Sequence, residues 1–257
     1  MSGSLQGARV LLTRRRADSL KLALLIEARG GSASVVAMTA IGPPPDPVAV
    51  EVAGRSVDRF DWIALTSRHG ADGFLGGLAV PVGSRPKVAV VGRSTAEAVE
   101  RAGWPVDLLS PGYGAEALAG EMVRAGAGSG ARVLHPCSDL ARTEIKQILE
   151  QSGATVFPVE VYRTLPSSSV EELRAALAAG GPWHVAVFAS PSTVARFVEL
   201  TREQSDCMVE RLAVAIGPTT AEALAALGGW HVVESESRDD AGLVSAVEQS
   251  WRSRRDQ

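Results

Sequence analysis

Runs of about four to six apolar residues recur along the chain, most of them followed by a longer segment whose apolar positions fall three and four apart. The runs predict buried strands at 9–13, 33–37, 62–66, 88–91, 106–109, 132–135, 156–161, 185–188, 212–216 and 231–233. The periodic segments predict helices at 17–29, 48–60, after Ser67, at 94–102, 115–125, 140–151, 170–179 and 191–200, a short one around 207–211, and one at 241–251. Strands that are apolar throughout, alternating with helices, imply an α/β fold whose parallel sheets are covered on both faces. Two segments break the rhythm. MTAIGPPPDP (38–47) carries four prolines, which fit neither a helix interior nor a central strand, and YRTLPSSS (162–169) follows the strand at 156–161. Both read as crossings between domains.

The clearest unit is LAVAIGPTTAEALAALG (212–228): an apolar strand, a turn at Gly217, then a helix for which Thr219 and Glu222 are expected to form a capping box. Nearly the same stretch occurs as KVAVVGRSTAEAVERAG (87–103), with Ser94 and Glu97 as the expected box, at an offset of 125 residues. DWIALTSRHGADGF and HVAVFASPSTVARF align at an offset of 123, Ser67 on Ser190. At the same offset VLLTRRRADSLKLALLIEARGGSASVV aligns with VLHPCSDLARTEIKQILEQSGATVFPV, Val10 on Val133. Blocks that keep nearly one spacing across both halves point to an internal duplication.

Composition narrows the function mainly by exclusion. At 257 residues the chain can form one or two domains. Its 26 basic and 29 acidic side chains give a net charge of −3, which argues against a nucleic-acid binder driven by general positive charge. Only Lys21, Lys87 and Lys146 are lysines, and the arginines that make up the rest suit bidentate carboxylate recognition. Cys137 and Cys207 lie far apart without a CxxC, as expected of free thiols in a reducing compartment. MSGSLQGARV has no basic segment followed by a long apolar core, so no signal peptide is expected. No window approaches a membrane span, and the expected location is the cytoplasm. The final RSRRDQ reads as a solvated tail.

In an open parallel sheet, ligands bind outside the carboxyl ends of the strands. The residues predicted there are Thr13, Arg14, Thr66, Ser67, Gly92, Ser94, Thr95, Ser190, Ser192, Gly217, Thr219 and Thr220. The set contains hydroxyls, glycines and an arginine, but no paired carboxylates, Ser/His/Asp order, Walker loop or GxGxxG after the first strand. It suits holding an anionic molecule on helix N-termini better than attacking one. Ser67, Ser94, Ser190 and Thr219 also stand where helix N-caps are needed, so a purely structural role fits the same pattern. His69, His135, His184 and His231 are scattered, and no metal site is expected. Trp62, Trp183 and Trp230 flank strands and read as core. Tyr162, one of two tyrosines, stands at the second crossing, where a phenol could reach a cleft between domains and donate a hydrogen bond or proton without a shifted pKa. On the residues alone three readings stay open. They are an enzyme, a cytoplasmic two-lobed small-anion binding or sensor protein without catalysis, and a nucleotide-sugar transferase, for which no acidic or histidine catalytic residue is evident.

The set VLLTR (10–14), LTS (65–67), VVGRSTAEAV (90–99), VEVYRT (159–164), FASPSTVARF (188–197) and AIGPTTAEAL (215–224) resembles the uroporphyrinogen-III synthase family along nearly the whole chain. The resemblance implies two parallel-sheet, flavodoxin-like α/β domains joined by a two-stranded hinge. Residues 1–38 with 167–257 would form one discontinuous domain, 46–157 the other, and 39–45 and 158–166 the hinge strands. It also implies a monomeric, cofactor-free lyase of tetrapyrrole (porphyrin and haem) biosynthesis. Such an enzyme cyclises hydroxymethylbilane to uroporphyrinogen III with loss of water and inversion of ring D, a small-molecule reaction involving neither nucleic acid nor membrane. Tyr162 falls on the family's catalytic tyrosine. Arg14, Ser67, Thr95, Ser190, Ser192, Gly217, Thr219 and Thr220 fall on or beside expected substrate contacts. The chain departs from the common pattern in lacking proline after Thr13-Arg14 and in reading SRHG at 67–70 where the second copy reads SPST, which bears on contacts at Arg14 and Arg68.

Overall fold

Successive side chains of a strand point to opposite faces, so a run that is apolar at every position needs a helical layer on each side. The computed structural model, which describes residues 3–81, 83–112, 114–141, 143–202 and 205–254, meets that need in two sheets. Among the described residues the strands are β1 (Arg9–Leu12), β2 (Ser32–Val35), β3 (Thr39–Gly42), β4 (Trp62–Leu65), β5 (Lys87–Val91), β6 (Leu108–Ser110), β7 (Arg132–Ser138), β8 (Thr155–Pro166), β9 (Trp183–Phe188), β10 (Met208–Ala215) and β11 (His231–Glu234). The helices are α1 (Arg16–Glu27), α2 (Pro47–Arg55), α3 (Arg68–Leu75), α4 (Arg93–Arg101), α5 (Ala115–Arg124), α6 (Glu144–Gln151), α7 (Val170–Gly180), α8 (Pro191–Thr201), α9 (Pro218–Ala225) and α10 (Asp240–Ser253). The chain divides into one unit of Met1–Ala40 with Leu165–Gln257 and another of Ile41–Thr164.

In the first unit the strand order is β2-β1-β9-β10-β11, with each neighbouring pair parallel. Val10, Leu12, Val185, Val187 and Val214 face the layer of α1 and α10, while Leu11, Ala186, Phe188, Ala213 and Ala215 face α7, α8 and α9. In the second unit the order is β3-β8-β7-β4-β5-β6. Ile63, Leu65, Val88 and Val90 pack with α3 and α4, and Trp62, Ala64, Ala89 and Val133 pack with α5 and α6. Apart from β3, the two sheets repeat one order: β8-β7-β4-β5-β6 corresponds strand for strand to β2-β1-β9-β10-β11. The 123-residue offset pairs β1 with β7 and β9 with β4, so the duplicated units share a topology but start at different strands. No helix among the described residues is long and apolar enough to cross a membrane.

Three elements differ from the pattern read along the chain. The short helix around 207–211 is instead a 3-10 turn (Ser205–Cys207) followed by the start of β10, because Met208 finds a partner in Trp183 at the head of β9. The register then shifts before Leu212, which is why Met208–Arg211 breaks the apolar run. Next, β7 extends to Ser138 and α6 starts only at Glu144. Pro136 is tolerated because it lies past Leu134, the last residue of β7 in register with β4, where no donor is needed on that side. Finally, β8 runs unbroken through the expected second crossing to Pro166. The tail beyond Arg254 lies outside the described residues.

Two buried histidines give the fold a pH dependence. His135 Nδ1 donates to the Ala64 carbonyl at 2.9 Å, and His184 Nδ1 accepts the Arg9 N–H at 2.9 Å. Burial holds both below the ordinary value of 6.5, with Arg9 and Arg254 adding to the effect at His184. The unfolded chain takes up these protons first, so their contribution to stability is complete above about pH 6.5 and is lost as the pH falls below it. Tm is expected to drop between pH 7 and 5, and His135→Gln to flatten part of that slope. An unchanged slope would remove His135 from the account.

Candidate active site

All the helix-covered strands of a unit run the same way, so their carboxyl ends form one edge of each sheet. At that edge of the second unit Ser67 follows β4 and caps α3, its Oγ accepting the Gly70 N–H at 3.1 Å. Tyr162 lies on β8 where the register against β7 shifts, so that Ser138 stands opposite it. The backbone is held there: Asp139 N–H donates to the Tyr162 carbonyl at 3.4 Å, and the Asp139 carboxylate accepts the Thr164 N–H at 3.0 Å. As a result the Tyr162 hydroxyl sits 3.0 Å from Ser67 Oγ. The His69 ring stands edge-on to the phenol, 5.7 Å between centroids at 72°.

The expected capping boxes at the two most similar stretches do not form. Gly92, at φ +74°, is itself the N-cap of α4, so the helix starts at Arg93 and Ser94 is its second residue. Likewise the extended Gly217 caps α9, Pro218 takes the first helical position and Thr219 the second. The turn at each glycine begins the helix too early for the hydroxyl to cap it, and neither cap makes a side-chain hydrogen bond. Thr95 and Thr220, third in their helices, turn inward and are buried, whereas Ser94 is exposed and Thr219 half-buried. Capping boxes occur instead at Ser169 with Glu172, and at Ser190 with Thr193.

Ser190 caps α8, and its Oγ lies 2.8 Å from Ser192 Oγ. Thr13 is buried and donates to the Val187 carbonyl at 2.7 Å. Arg14 is drawn away to Asp240, in the first turn of α10, at 2.9 Å. Two arginines absent from the predicted set stand at the same edge of the first unit. A Cβ on Gly217 would lie 3.1 Å from the Arg238 guanidinium, placing Arg238 over the start of α9. Arg16 lines a cavity of about 340 Å³ with Val36, Ser167, Ser168 and Glu172. Signals for both were present: Arg238 follows β11, a strand end like the others, and Arg16 is the first residue of α1, just past the carboxyl end of β1.

A larger groove of about 580 Å³ lies at the opposite edge, beside Met208 and Trp230 at the amino ends of β10 and β11. Cys137 and Cys207 are free and buried, and burial pushes each thiol up to about 11, so neither is a ready nucleophile. Among the described residues no group of three or more His, Cys, Asp or Glu side chains is arranged to hold a metal.

Two parallel-sheet units of one topology, with glycine turns and hydroxyls at the strand ends, define the chain as a duplicated α/β protein. The family model for uroporphyrinogen-III synthase HemD matches residues 21–245, and the chain belongs to the uroporphyrinogen-III synthase family. It is 28% identical over 253 residues to a Synechococcus elongatus protein named uroporphyrinogen-III synthase, covering 95% of each chain. A chloroplastic uroporphyrinogen-III synthase of Oryza sativa is also 28% identical, over 95% of this chain and 80% of that one. In fold the chain is similar to a mutant uroporphyrinogen III synthase from Thermus thermophilus, with a TM-score of 0.60 and 18% identity over 96% of this chain and 100% of the other. The Helicobacter pylori synthetase gives a TM-score of 0.61 at 14% identity, over 94% and 99%.

Proposed function

We propose that this chain cyclises hydroxymethylbilane to uroporphyrinogen III, with loss of water and inversion of ring D. Tyr162 hydrogen-bonds the hydroxyl that leaves. The carbon–oxygen bond breaks as the pyrrole nitrogen supplies its electron pair, and the phenol proton goes to the departing hydroxyl, which leaves as water. The phenolate recovers a proton when the ring-closing pyrrole carbon rearomatises, so no proton is consumed. The starts of α4 and α9, together with the hydroxyls of Ser190, Ser192 and Thr219, take substrate carboxylates. The linear substrate also closes unaided to the unflipped isomer, so catalysis consists largely of holding the chain for the inverting route.

The observation that carries this reading is the Tyr162–Ser67 pair, 3.0 Å apart at a strand-end edge, in a chain of the uroporphyrinogen-III synthase family. The same reading assigns residues 39–45 and 158–166 as hinge strands and the working form as a cytoplasmic monomer. The deciding experiment feeds freshly made hydroxymethylbilane to the purified protein and separates the oxidised products by HPLC. Predominantly isomer III is expected. Isomer I alone, at the uncatalysed rate and with folded protein, would leave a binder of small anions.

A further inference from the structure

Ser67 does two things with one hydroxyl. It accepts the Gly70 N–H of α3 at 3.1 Å, and it shares a hydrogen bond with the Tyr162 hydroxyl at 3.0 Å. A serine hydroxyl has one proton and two lone pairs, and a phenol has a single proton. When Tyr162 gives its proton to a bound hydroxyl, only Ser67 can supply the donor in the bond between them. We propose that Ser67 is the positioning residue for Tyr162, the middle link of a relay from the Gly70 N–H through the Ser67 O–H to the Tyr162 oxygen. This inference rests on the cyclase reading.

The relay has a chemical consequence. As the phenol oxygen gains negative charge, the Ser67 O–H strengthens its bond to that oxygen, and the Gly70 N–H polarises the serine from behind. The first turn of α3 thus acts on the reacting group through one hydroxyl. The geometry restricts the phenol on other sides as well. His69 holds the ring edge-on, and a Cβ on Gly73 would lie only 3.0 Å from the Val161 carbonyl, a measure of how closely α3 meets β8 just before Tyr162.

Three substitutions separate this role from capping alone. Ser67→Thr keeps both bonds and is expected to stay within about twofold of the parent in kcat. Ser67→Ala loses both, and kcat is expected to fall about tenfold or more, with KM for hydroxymethylbilane changed much less. Ser67→Asp keeps a strong N-cap, and hence Tm, but its carboxylate only accepts, so it engages the Tyr162 O–H as donor and has no proton to give the phenol oxygen as charge develops there. Its kcat is expected to fall at least as far as that of Ser67→Ala. In a Tyr162→Phe background Ser67→Ala should change kcat no further, because its effect passes through the phenol. Parent-like kcat in Ser67→Asp would overturn the relay, as would an equal loss from Ser67→Ala in both backgrounds. A wild-type protein that makes isomer III while the Ser67 variants are silent removes the relay alone; folded wild type making only isomer I removes the cyclase reading and the relay with it.

Discussion

Tyr162→Phe is expected to lower kcat for formation of isomer III by about a hundredfold or more, the usual range for loss of a positioned acid. Tm should move little. The ring stays, still packed at the edge of the cluster built on Ile63, Leu65 and Val161, and only one hydrogen bond is lost, worth about 1 kcal/mol. Ser67 keeps its bond to Gly70, so the substitution leaves no buried serine oxygen without a partner. Thr219→Ala serves as the contrast. Thr219 is half-buried at the second position of α9 and does not cap it, so its removal should raise KM and lower kcat less than the loss of the phenol does. Turnover of Tyr162→Phe equal to the parent would take the tyrosine out of the mechanism and leave binding geometry to account for the isomer made.

The sheets were legible in the sequence because their signals are local. Strands such as Trp62–Leu65 and Trp183–Phe188 are buried at every position, and the apolar runs 62–65 and 185–188 say so without knowledge of the partner strands. The repeat added the correspondence between strands. Helix caps were less legible, since a shift of two residues moves Ser94 and Thr219 from the cap into the first turn, with Gly92 and Gly217 taking the cap instead. Long-range partnerships were not legible at all. Ser67 and Tyr162 are 95 residues apart in sequence, and they meet because β7 separates β4 from β8 and the β7–β8 register slips once, just beside Tyr162. The same holds for Arg14, whose place at a strand end marked it for a substrate carboxylate although Asp240, 226 residues on, already holds it. Residue types at strand ends identify an edge, and the pairings across it depend on register.

Gly70→Ala tests how that register supports the site. Gly70 stands third in α3, where the second copy of the repeat has Thr193, and the close approach there explains the glycine of SRHG in place of the threonine of SPST. A Cβ at Gly70 would lie 2.9 Å from the Pro136 carbonyl and 3.4 Å from Ser67 Oγ. Pro136 belongs to β7 and is held in register with Val159 of β8, so its carbonyl cannot yield easily and α3 must move instead. Alanine in a helix gains up to about 1 kcal/mol over glycine, and overpacking against backbone costs about 1–3 kcal/mol. A net destabilisation of about 1–2 kcal/mol, seen as a Tm several degrees lower, is therefore expected. Gly77→Ala, where a Cβ meets nothing within 4 Å, should leave Tm unchanged. The kinetic effect should exceed the thermal one. Displacing α3 moves the Gly70 N–H and Ser67 Oγ together relative to Tyr162, so kcat should fall about tenfold in a protein that is still almost entirely folded at assay temperature. A Tm as high as that of the parent would mean that α3 does not rest on the Pro136 carbonyl; a lowered Tm with parent kcat would mean that turnover does not depend on the distance between Ser67 and the phenol.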